Sequence, residues 1–380
     1  MIEYYASEIY PFIASGLSRV SGLFAFSLSG LALAAAALWV IWRLADAIRK
    51  KKGIGVILFR LAGPLLLMAG WIYASWGILY FRDDWFQRSG TEKAAPDSAA
   101  YVAFLERYID NLNRAYNESS ALRPLAWTIT LPIPQSDSLR HSQPDSLRNS
   151  QPGSLPDSQP GSIRSSQPGS LRDGSEKPVV AQWWGSAQAD RADSLIEQSY
   201  SRLSDYLGIT YPGGKRRPKK VFMGWYFTKT SILGYFVPLF HEIHLNPQMP
   251  WVQYPASLAH EKAHQFGITS EAECNFYGYL ACVGSDDPFV RYSGYFSVLG
   301  YVAADARRLL PESYTRYLQR IEPAIRRESG GVSAYWRANE HQKLSRIQTK
   351  VYDTYLKTNG IRTGIKNYSE VTALLLSYYQ

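Results

Sequence analysis

Two long apolar stretches near the N-terminus limit the folds open to this chain. Residues 23–42 and residues 61–81 contain no charged side chain. Each stretch can cross about 30 Å of hydrocarbon, because a helix rises about 1.5 Å per residue. A cleavable signal peptide is disfavoured for the first stretch, since bulky Trp42 and Arg43 follow it instead of a small-residue cleavage site. We predict transmembrane helices over residues 23–42 and within residues 54–82.

Basic residues between the two stretches predict the orientation in the membrane. Residues 43–53 carry five Lys and Arg residues against the single Asp46, and positive loops stay on the cytoplasmic side. Residues 1–22 are therefore predicted to be an N-terminal extracytoplasmic segment, and residues 43–53 a cytoplasmic loop. The chain after residue 82 then lies outside the inner membrane of a bacterium, in the periplasm.

A metal-binding pattern occurs in the second half of the chain. Between Leu258 and Asn275 the sequence reads L-A-H-E-K-A-H-Q-F-G-I-T-S-E-A-E-C-N. His260 and His264 are four residues apart, so on a helix they project from one face and can share one ion. Glu261 then stands beside the ion as a base. The alternative is a pair of core histidines bonded to backbone carbonyls, but the helical context and the carboxylates that follow favour a metal.

The residues around this pattern predict two short helices joined by a tight turn. Residues 256–266 form a small-sided apolar helix that Gly267 can end with a left-handed cap. Ser270 and Glu273 have the spacing of a capping box, which predicts a second helix from Ser270. Two helices related in this way can bring a third ligand to the ion.

Three residues of the second helix are candidates around the ion. Glu271 is the favoured third ligand, and Glu273 is the reserve because it also suits the capping box. Asn275 is predicted to orient either Glu271 or a ligating histidine from outside the ligand set. Two histidines and one carboxylate leave a fourth position for water on Zn²⁺, the predicted cofactor, and Glu261 would deprotonate that water.

The block resembles the gluzincin class of zinc metallopeptidases, whose pattern is H-E-x-x-H followed by a ligating Glu and, four residues later, an Asp. Here the residues are His260, Glu261, His264, Glu271 and then Asn275. The resemblance implies a zincin-like domain over residues 179–380 and peptide hydrolysis. Asn275 lacks the charge of the usual Asp, which implies weaker support for its ligand. The third histidine of the metzincin class is replaced by Ser270, which argues against that class.

Other segments are similar to an uncharacterised bacterial family of membrane-anchored proteins that carry a domain of unknown function. The matching segments are W-G-I-L-Y-F-R after the second apolar stretch, G-Y-F-V-P and H-L-N between Gly234 and Asn246, the H-E-K-A-H-Q-F-G block with E-A-E-C-N, and Y-L-K-T-N-G from Tyr355. The similarity covers most of the chain outside residues 131–178. It implies a membrane anchor and no known activity.

The remaining pattern predicts an α+β fold that is mainly helical, with a zincin-like domain and a small antiparallel sheet after the two transmembrane helices. Residues 83–130 are the predicted helical start of the soluble domain. Residues 131–178 contain successive octapeptides such as S-Q-P-G-S-L-R-D, which bury too little apolar surface to fold and predict a disordered insertion. Further helices are predicted at residues 99–116, 187–207, 289–310, 311–327, 334–356 and 369–379.

Residues 220–227 and 232–245 are rich in β-branched and aromatic side chains and predict the sheet. The segment with Glu242, His244 and Asn246 is a candidate edge strand that holds a substrate. The alternative is an ordinary strand whose polar side chains face solvent. His241 and His244 as additional metal ligands are disfavoured, because a complete set exists without them.

The distribution of charge limits the classes of partner, and the cysteine positions bear on disulfide formation. The net charge is +9, but its concentrations are the loop at residues 43–53 and a second run at residues 215–220. We interpret the second run as a solvated loop, or as a contact for anionic lipid or an acidic partner. No nucleic acid is expected as a partner. Cys274 and Cys282 lie too far apart on one helix to form a disulfide.

The sequence thus predicts a membrane-anchored, zinc-dependent metallopeptidase that cuts peptide bonds on the extracytoplasmic side. Its expected partners are a peptide or protein substrate and the lipid bilayer. Two alternatives stay open: a catalytically silent, zinc-stabilised envelope scaffold or sensor, and a hydrolase of another bond. Candidates for stabilising an oxyanion, by residue type alone, are Arg291, Tyr292, Tyr295 and His341.

Overall fold

The computed structural model describes residues 1–51, 53–94, 98–120, 185–211, 216–221, 223–358 and 368–380. The predicted insertion at residues 131–178 lies outside the described residues, as does the end of the segment predicted over residues 83–130. The prediction of a disordered repeat therefore stays a prediction.

Helices dominate the described chain. Those before residue 120 are α1 Ile2–Tyr4, a π-helical turn Tyr5–Ile9, α2 Tyr10–Gly22, α3 Leu28–Arg49, α4 Ile54–Ser75, a 3-10 turn Gly77–Phe81, α5 Trp85–Ser89 and α6 Ser98–Ser119. Those after residue 185, with the strands, are α7 Ala187–Leu207, β1 Lys219–Lys220, α8 Gly224–Lys229, β2 Gly234–Val237, β3 Glu242–Leu245, a 3-10 turn Trp251–Gln253, α9 Tyr254–Gln265, α10 Glu271–Val283, α11 Pro288–Leu309, α12 Tyr314–Arg320, α13 Pro323–Asn339, α14 Gln342–Thr358 and α15 Tyr368–Tyr379. The predicted mainly helical α+β class is confirmed.

The two apolar helices, α3 and α4, are long and apolar enough to cross a membrane. α3 begins later than predicted, because the Ser27 side chain accepts the Gly30 amide and starts the helix there. It also continues past residue 42 to Arg49, since a basic side chain is tolerated in the last helical turn. α4 passes through Pro64 and ends at Ser75.

The N-terminal helical segment packs on the part of the chain that follows α4. The Glu3 carboxylate pairs with Arg82 at 3.0 Å, and the Tyr10 hydroxyl donates to the Gln265 carbonyl at 2.9 Å. The buried face of α2 includes Tyr10 and Ala14. The segment before the first apolar helix is therefore built into the domain that follows the second.

The small sheet is mixed, with the strand order β1, β3, β2. β2 pairs with β3 antiparallel, whereas β1 pairs with β3 parallel. The prediction of a purely antiparallel sheet is therefore wrong in this detail. Most of residues 220–227 is also not a strand, because α8 begins at Gly224 and Trp225, Tyr226 and Phe227 lie on it.

The core forms around α10, which packs on α9, α11, α7 and α15. Its side chains Cys274, Phe276, Tyr277 and Tyr279 are fully buried. The helices predicted at residues 99–116, 187–207, 289–310 and 369–379 correspond to α6, α7, α11 and α15, with bounds that differ by up to three residues.

The prediction of one continuous helix over residues 311–327 is wrong, because the helix is interrupted before Pro323. Ile321 and Glu322 take extended ψ angles of 132°, as expected where the ring of a following proline disfavours helical backbone. Two helices, α12 and α13, result. The next helix, predicted from residue 334, begins at Gln342 instead.

Candidate metal centre

Two helices and the turn between them position the candidate site. α9 has Pro255 in its first turn, where the missing amide costs no helical hydrogen bond, and most of its side chains are buried. Gly267 follows it with φ 90°, the left-handed conformation that favours glycine. The Ser270 side chain then accepts the Glu273 amide and starts α10 at Glu271. The predicted helix, turn and helix are present.

Three side chains converge at this junction. His260 Nε2 lies 3.2 Å from Glu271 Oε2, and His264 Nε2 lies 3.5 Å from Glu271 Oε1. One ligand atom from each of the three lies within 4.8 Å of the others. Among the described residues this is the group that could hold a metal ion.

The other ring nitrogen of each histidine is engaged. His260 Nδ1 lies 3.1 Å from Asn275 Oδ1, and His264 Nδ1 lies 2.8 Å from the Ile268 carbonyl. Because the carbonyl only accepts, Nδ1 of His264 is the donor in this contact, and Nε2 is the nitrogen that faces Glu271. Asn275 therefore supports a histidine rather than Glu271, one of the two roles predicted for it.

Glu271 carries the charge of the centre. Burial by itself favours the neutral acid, but His264 and His260 outweigh it and hold the pKa of the Glu271 carboxyl well below its usual range. Its side chain is still about a third exposed (35%). Glu271 thus stays ionised beside the two imidazoles and is the part of the centre that reaches solvent.

Glu261 points into the same region without joining the ligand group. Its carboxylate is buried, which raises the pKa of the group, and Oε2 has no hydrogen-bond partner among the described residues. A Cβ added to Gly234 would lie 2.9 Å from Glu261 Cγ and Oε1. β2 therefore runs directly against this side chain, and only glycine fits there without displacing it.

The donor set fits a tetrahedral zinc ion. Zinc bonds of about 2.1 Å place neighbouring ligand atoms about 3.4 Å apart. Each histidine Nε2 lies near that distance from one of the two Glu271 oxygens, 3.2 Å from Oε2 for His260 and 3.5 Å from Oε1 for His264. The unpartnered Glu261 Oε2 is the second sign of a missing group. His260, His264 and Glu271 are the residues that would hold the ion.

Glu273 is not placed to act as the reserve ligand. Its carboxylate forms an ion pair with Arg88 at 2.5 Å and accepts the Trp85 amide at 3.0 Å, with both side chains almost fully buried. The predicted reciprocal contact of the capping box is therefore also wrong, although the Ser270 half exists. Glu273 instead attaches α10 to α5.

The prediction that the segment with Glu242, His244 and Asn246 is an edge strand is wrong, because β3 is the central strand of the sheet. Its polar side chains are buried and bonded inside the protein, except that His244 Nδ1 has no hydrogen-bond partner among the described residues. Glu242 binds Lys219 and the start of α3, His244 Nε2 lies 2.8 Å from Ser27 Oγ, and Asn246 donates to the Ile232 carbonyl. The alternative of a solvent-facing strand is wrong as well.

The remaining candidates, His241 as a ligand and four residues for stabilising an oxyanion, make contacts away from the candidate centre. His241 Nε2 lies 3.0 Å from the Tyr10 hydroxyl, and burial lowers its pKa to about 3, so it stays neutral. Arg291 pairs with Glu118, and the Tyr292 hydroxyl donates to Glu328. The Tyr295 carbonyl accepts the Tyr108 hydroxyl, and the His341 amide donates to the Lys229 carbonyl. None of these contacts joins the candidate centre.

Several residues at the site have no local signal in the sequence. Trp76 Nε1 donates to the His264 carbonyl at 3.3 Å, and its ring centroid lies 6.2 Å from that imidazole. The Tyr301 hydroxyl accepts from Asn275 Nδ2 at 3.1 Å. The Cys274 thiol lies 3.3 Å from His264 Nδ1. Position after an apolar helix is the only hint that could have marked Trp76.

The basic run at residues 215–220 is also buried in part. Arg216 pairs with Glu197 at 2.9 Å, and Lys219 pairs with Glu242 at 2.5 Å. Glu197 also bonds Lys262, which lies on α9 between the two histidines. For these two residues the interpretation as a solvated loop is wrong, because their ion pairs attach the segment to α7 and β3.

Replacing Gly278 with alanine is expected to weaken zinc binding about tenfold. A Cβ at this position would lie 3.0 Å from the His260 amide nitrogen, so α9 and α10 must separate and the distance from His260 to Glu271 grows. Competition with a chromogenic chelator measures the affinity. Gly330→Ala is the matched control, since its added Cβ meets nothing within 4 Å; equal affinities for the two variants would contradict the prediction.

The fold and the clustered residues together define a mainly helical protein with two apolar N-terminal helices and a candidate metal centre. Residues 5–376 match the family described as "Protein of unknown function (DUF3810)", and the chain belongs to that family. Comparison with curated proteins and with solved structures gave no match. The resemblance to an uncharacterised family is confirmed. The resemblance to gluzincins rests on the residues of the centre alone.

Proposed function

We propose that the chain is a membrane-anchored, zinc-dependent peptidase that acts on the outer side of the cytoplasmic membrane. The observation that carries this proposal is the convergence of His260, His264 and Glu271 beside the buried, unpartnered carboxylate oxygen of Glu261. A peptide or protein is the proposed substrate. The lipid bilayer is the other proposed partner.

The proposed residues have two roles: three hold the ion, and one transfers a proton. His260, His264 and Glu271 would hold zinc, which when bound polarises a carbonyl and acidifies a water. Glu261 accepts the proton of the attacking water on its carboxylate and returns it to the amine that leaves. Burial makes Glu261 a better base than an exposed carboxylate, because it raises the pKa of the group.

The strand beside the base is the proposed support for the substrate. The Asn246 amide donates to the Leu233 carbonyl at 2.8 Å, and in an antiparallel pair the bonded positions alternate. The peptide groups of Gly234 and Phe236 therefore point away from β3, towards the open edge of β2. A substrate paired to that edge would pass next to Glu261, because Gly234 contacts it.

A closed structural site is the competing proposal, and the contacts of Glu273 disfavour it. A structural zinc site needs four protein ligands. Glu273, the residue that could complete such a shell, is held in the buried ion pair with Arg88 instead. The three-residue set with a partly exposed Glu271 suits an open site better.

Zinc content and peptide hydrolysis test the proposed function together. The purified full chain is expected to bind about one zinc and to cleave a mixture of denatured proteins, while His264→Ala loses both zinc and activity. Elemental analysis and mass spectrometry of the products are the measurements. A parent protein that binds zinc stoichiometrically but cuts nothing would support the scaffold instead.

The contacts of α2 support a topology with both ends on one side. The Tyr10 hydroxyl reaches the Gln265 carbonyl, and Lys219 Nζ donates to the Ser21 carbonyl at 2.8 Å. Because α2 precedes α3 and these partners follow α4, the two spans must return the chain to the side where it began. The basic residues from Arg43 to Lys51 then favour a cytoplasmic loop.

Reporter fusions are expected to give opposite results at the two positions. Alkaline phosphatase, which folds only outside the cytoplasm, should be active when fused after Gln380 and inactive when inserted after Lys51. A green fluorescent reporter that matures only in the cytoplasm serves as the reciprocal control. Phosphatase activity at the loop position would overturn the proposed orientation.

A further inference from the structure

The candidate centre is attached to the end of α4 by one side chain. Trp76 is the first residue after α4, which ends at Ser75. Its indole donates to the His264 carbonyl at 3.3 Å, and its ring lies 6.2 Å from the imidazole by centroids. With about 5 Å from the indole ring to its own Cα and about 3.8 Å to the preceding Cα, the imidazole lies within roughly 15 Å of the last residue of the apolar helix.

The turn between β2 and β3 also contacts α4, at a residue one helical turn before its end. The Trp71 indole on α4 donates to the Leu239 carbonyl in that turn at 3.3 Å. Trp71 lies about 6 Å before Ser75 along the helix axis, at about 1.5 Å per residue. One end of the proposed substrate strand thus lies beside the last turn of α4, where tryptophan favours the membrane interface.

The other apolar helix meets the same sheet. The Glu242 carboxylate on β3 accepts the backbone amides of Leu28 and Ser29 at 3.0 and 2.9 Å, and the Ser27 hydroxyl at 3.0 Å. The start of α3 and the end of α4 are therefore both bound to one small sheet. These two contacts place the sheet at the level where the chain enters and leaves the bilayer.

The surface at this level is apolar. Phe12 on α2 and Leu23 after it are more than four-fifths exposed, at 83% and 81%, and Phe26 is 52% exposed. Phe12 lies on α2, whose other face, with Tyr10 and Ala14, is buried in the domain, and Leu23 and Phe26 lie between α2 and α3. Their exposure beside a membrane helix suits contact with lipid headgroups and acyl chains.

From these contacts we infer that the substrate of the centre is a polypeptide anchored in the bilayer, cut close to the membrane surface. The inference rests on the proposed peptidase function. A headgroup layer is about 5 to 7 Å deep, so a site within roughly 15 Å of the end of α4 lies at most about 10 Å beyond the outer boundary of that layer. An extended chain covers about 15 Å in about five residues. Scissile bonds a few residues beyond a membrane anchor reach the site, and tethering raises their local concentration.

The test compares one peptide mixture in two forms. Tryptic peptides of a bacterial lysate are used either free or coupled through one end to a dipalmitoyl lipid. The zinc-loaded full chain is reconstituted in vesicles of phosphatidylethanolamine and phosphatidylglycerol, and Glu261→Gln in the same vesicles is the blank. Mass spectrometry gives the rate of each cleavage and its distance from the anchor.

The expected result is cleavage of anchored peptides at least ten times faster than of free ones, with the cuts clustered in the residues nearest the anchor. Equal rates, or cuts spread evenly along the anchored peptides, would overturn the inference and leave the peptidase function standing. Cleavage of neither form by protein that holds zinc would overturn both. The two failures are therefore distinguishable.

Discussion

Glu261→Gln is expected to lower peptide hydrolysis by about a thousandfold and to leave the bound zinc in place. Glutamine has the shape of glutamate but cannot accept the proton of the attacking water. Glu261 lies outside the His260, His264 and Glu271 group, so its loss removes no ligand. Turnover of the best-cleaved peptide and elemental zinc analysis, on the same preparation, check the two halves of the prediction.

The matched control is Glu312→Gln, which makes the same change at an exposed position. It should keep full activity and full zinc content. If Glu261→Gln retained activity within a few-fold of the parent, Glu261 would not be the base. If it lost zinc together with activity, Glu261 would be a ligand and the proposed division of roles would be wrong.

The parts of the candidate centre that the sequence predicted are local. His260 and His264 share a helical face because of their spacing, and Gly267 and Ser270 fix where one helix ends and the next begins. These features depend on backbone preferences within a few residues, so they can be derived without knowing the fold. The position of Glu271 follows from the same turn.

The parts that the sequence could not predict depend on distant segments. Tyr10 meets His241 across 231 residues, and Ser27 meets Glu242 across 215 residues. Helical and strand periodicities describe which face a side chain occupies but not which distant element covers it. For the N-terminal segment, the sequence therefore predicts only the side of the membrane. It does not predict the packing of that segment against α9.

The burial of several charged residues also depends on distant segments. Lys219, Arg216 and Glu273 look like surface or capping residues in the sequence, because charge is usually exposed. Each is buried with an opposite charge supplied by another element. β1 is only two residues long and lies in the basic run, so no strand pattern marked it. Without β1, the sequence gives no sign that β3 is central, and it favours an edge position for that strand.

Glu242→Gln is expected to destabilise the protein by about 3 to 5 kcal/mol, because it leaves the buried Lys219 ammonium without its counter-charge. Lys219 Nζ lies 2.5 Å from Glu242 Oε1, with side-chain exposures of 7% and 0%. The ammonium retains the Ser21 and Phe26 carbonyls as acceptors, but these carry no full charge. Thermal unfolding of the full chain in detergent measures the loss.

The double variant Glu242→Gln with Lys219→Met separates an ion pair from a substrate contact. Removing both charges is expected to restore much of the stability, since a buried pair replaced as a whole costs far less than a broken one. Zinc content should stay unchanged in all three proteins, because Glu242 lies outside the ligand group. A single variant of normal stability with a raised KM for peptide would contradict this and return Glu242 to the substrate site. The expected pattern instead ties β3 to the start of α3, an apolar helix long enough to cross a membrane.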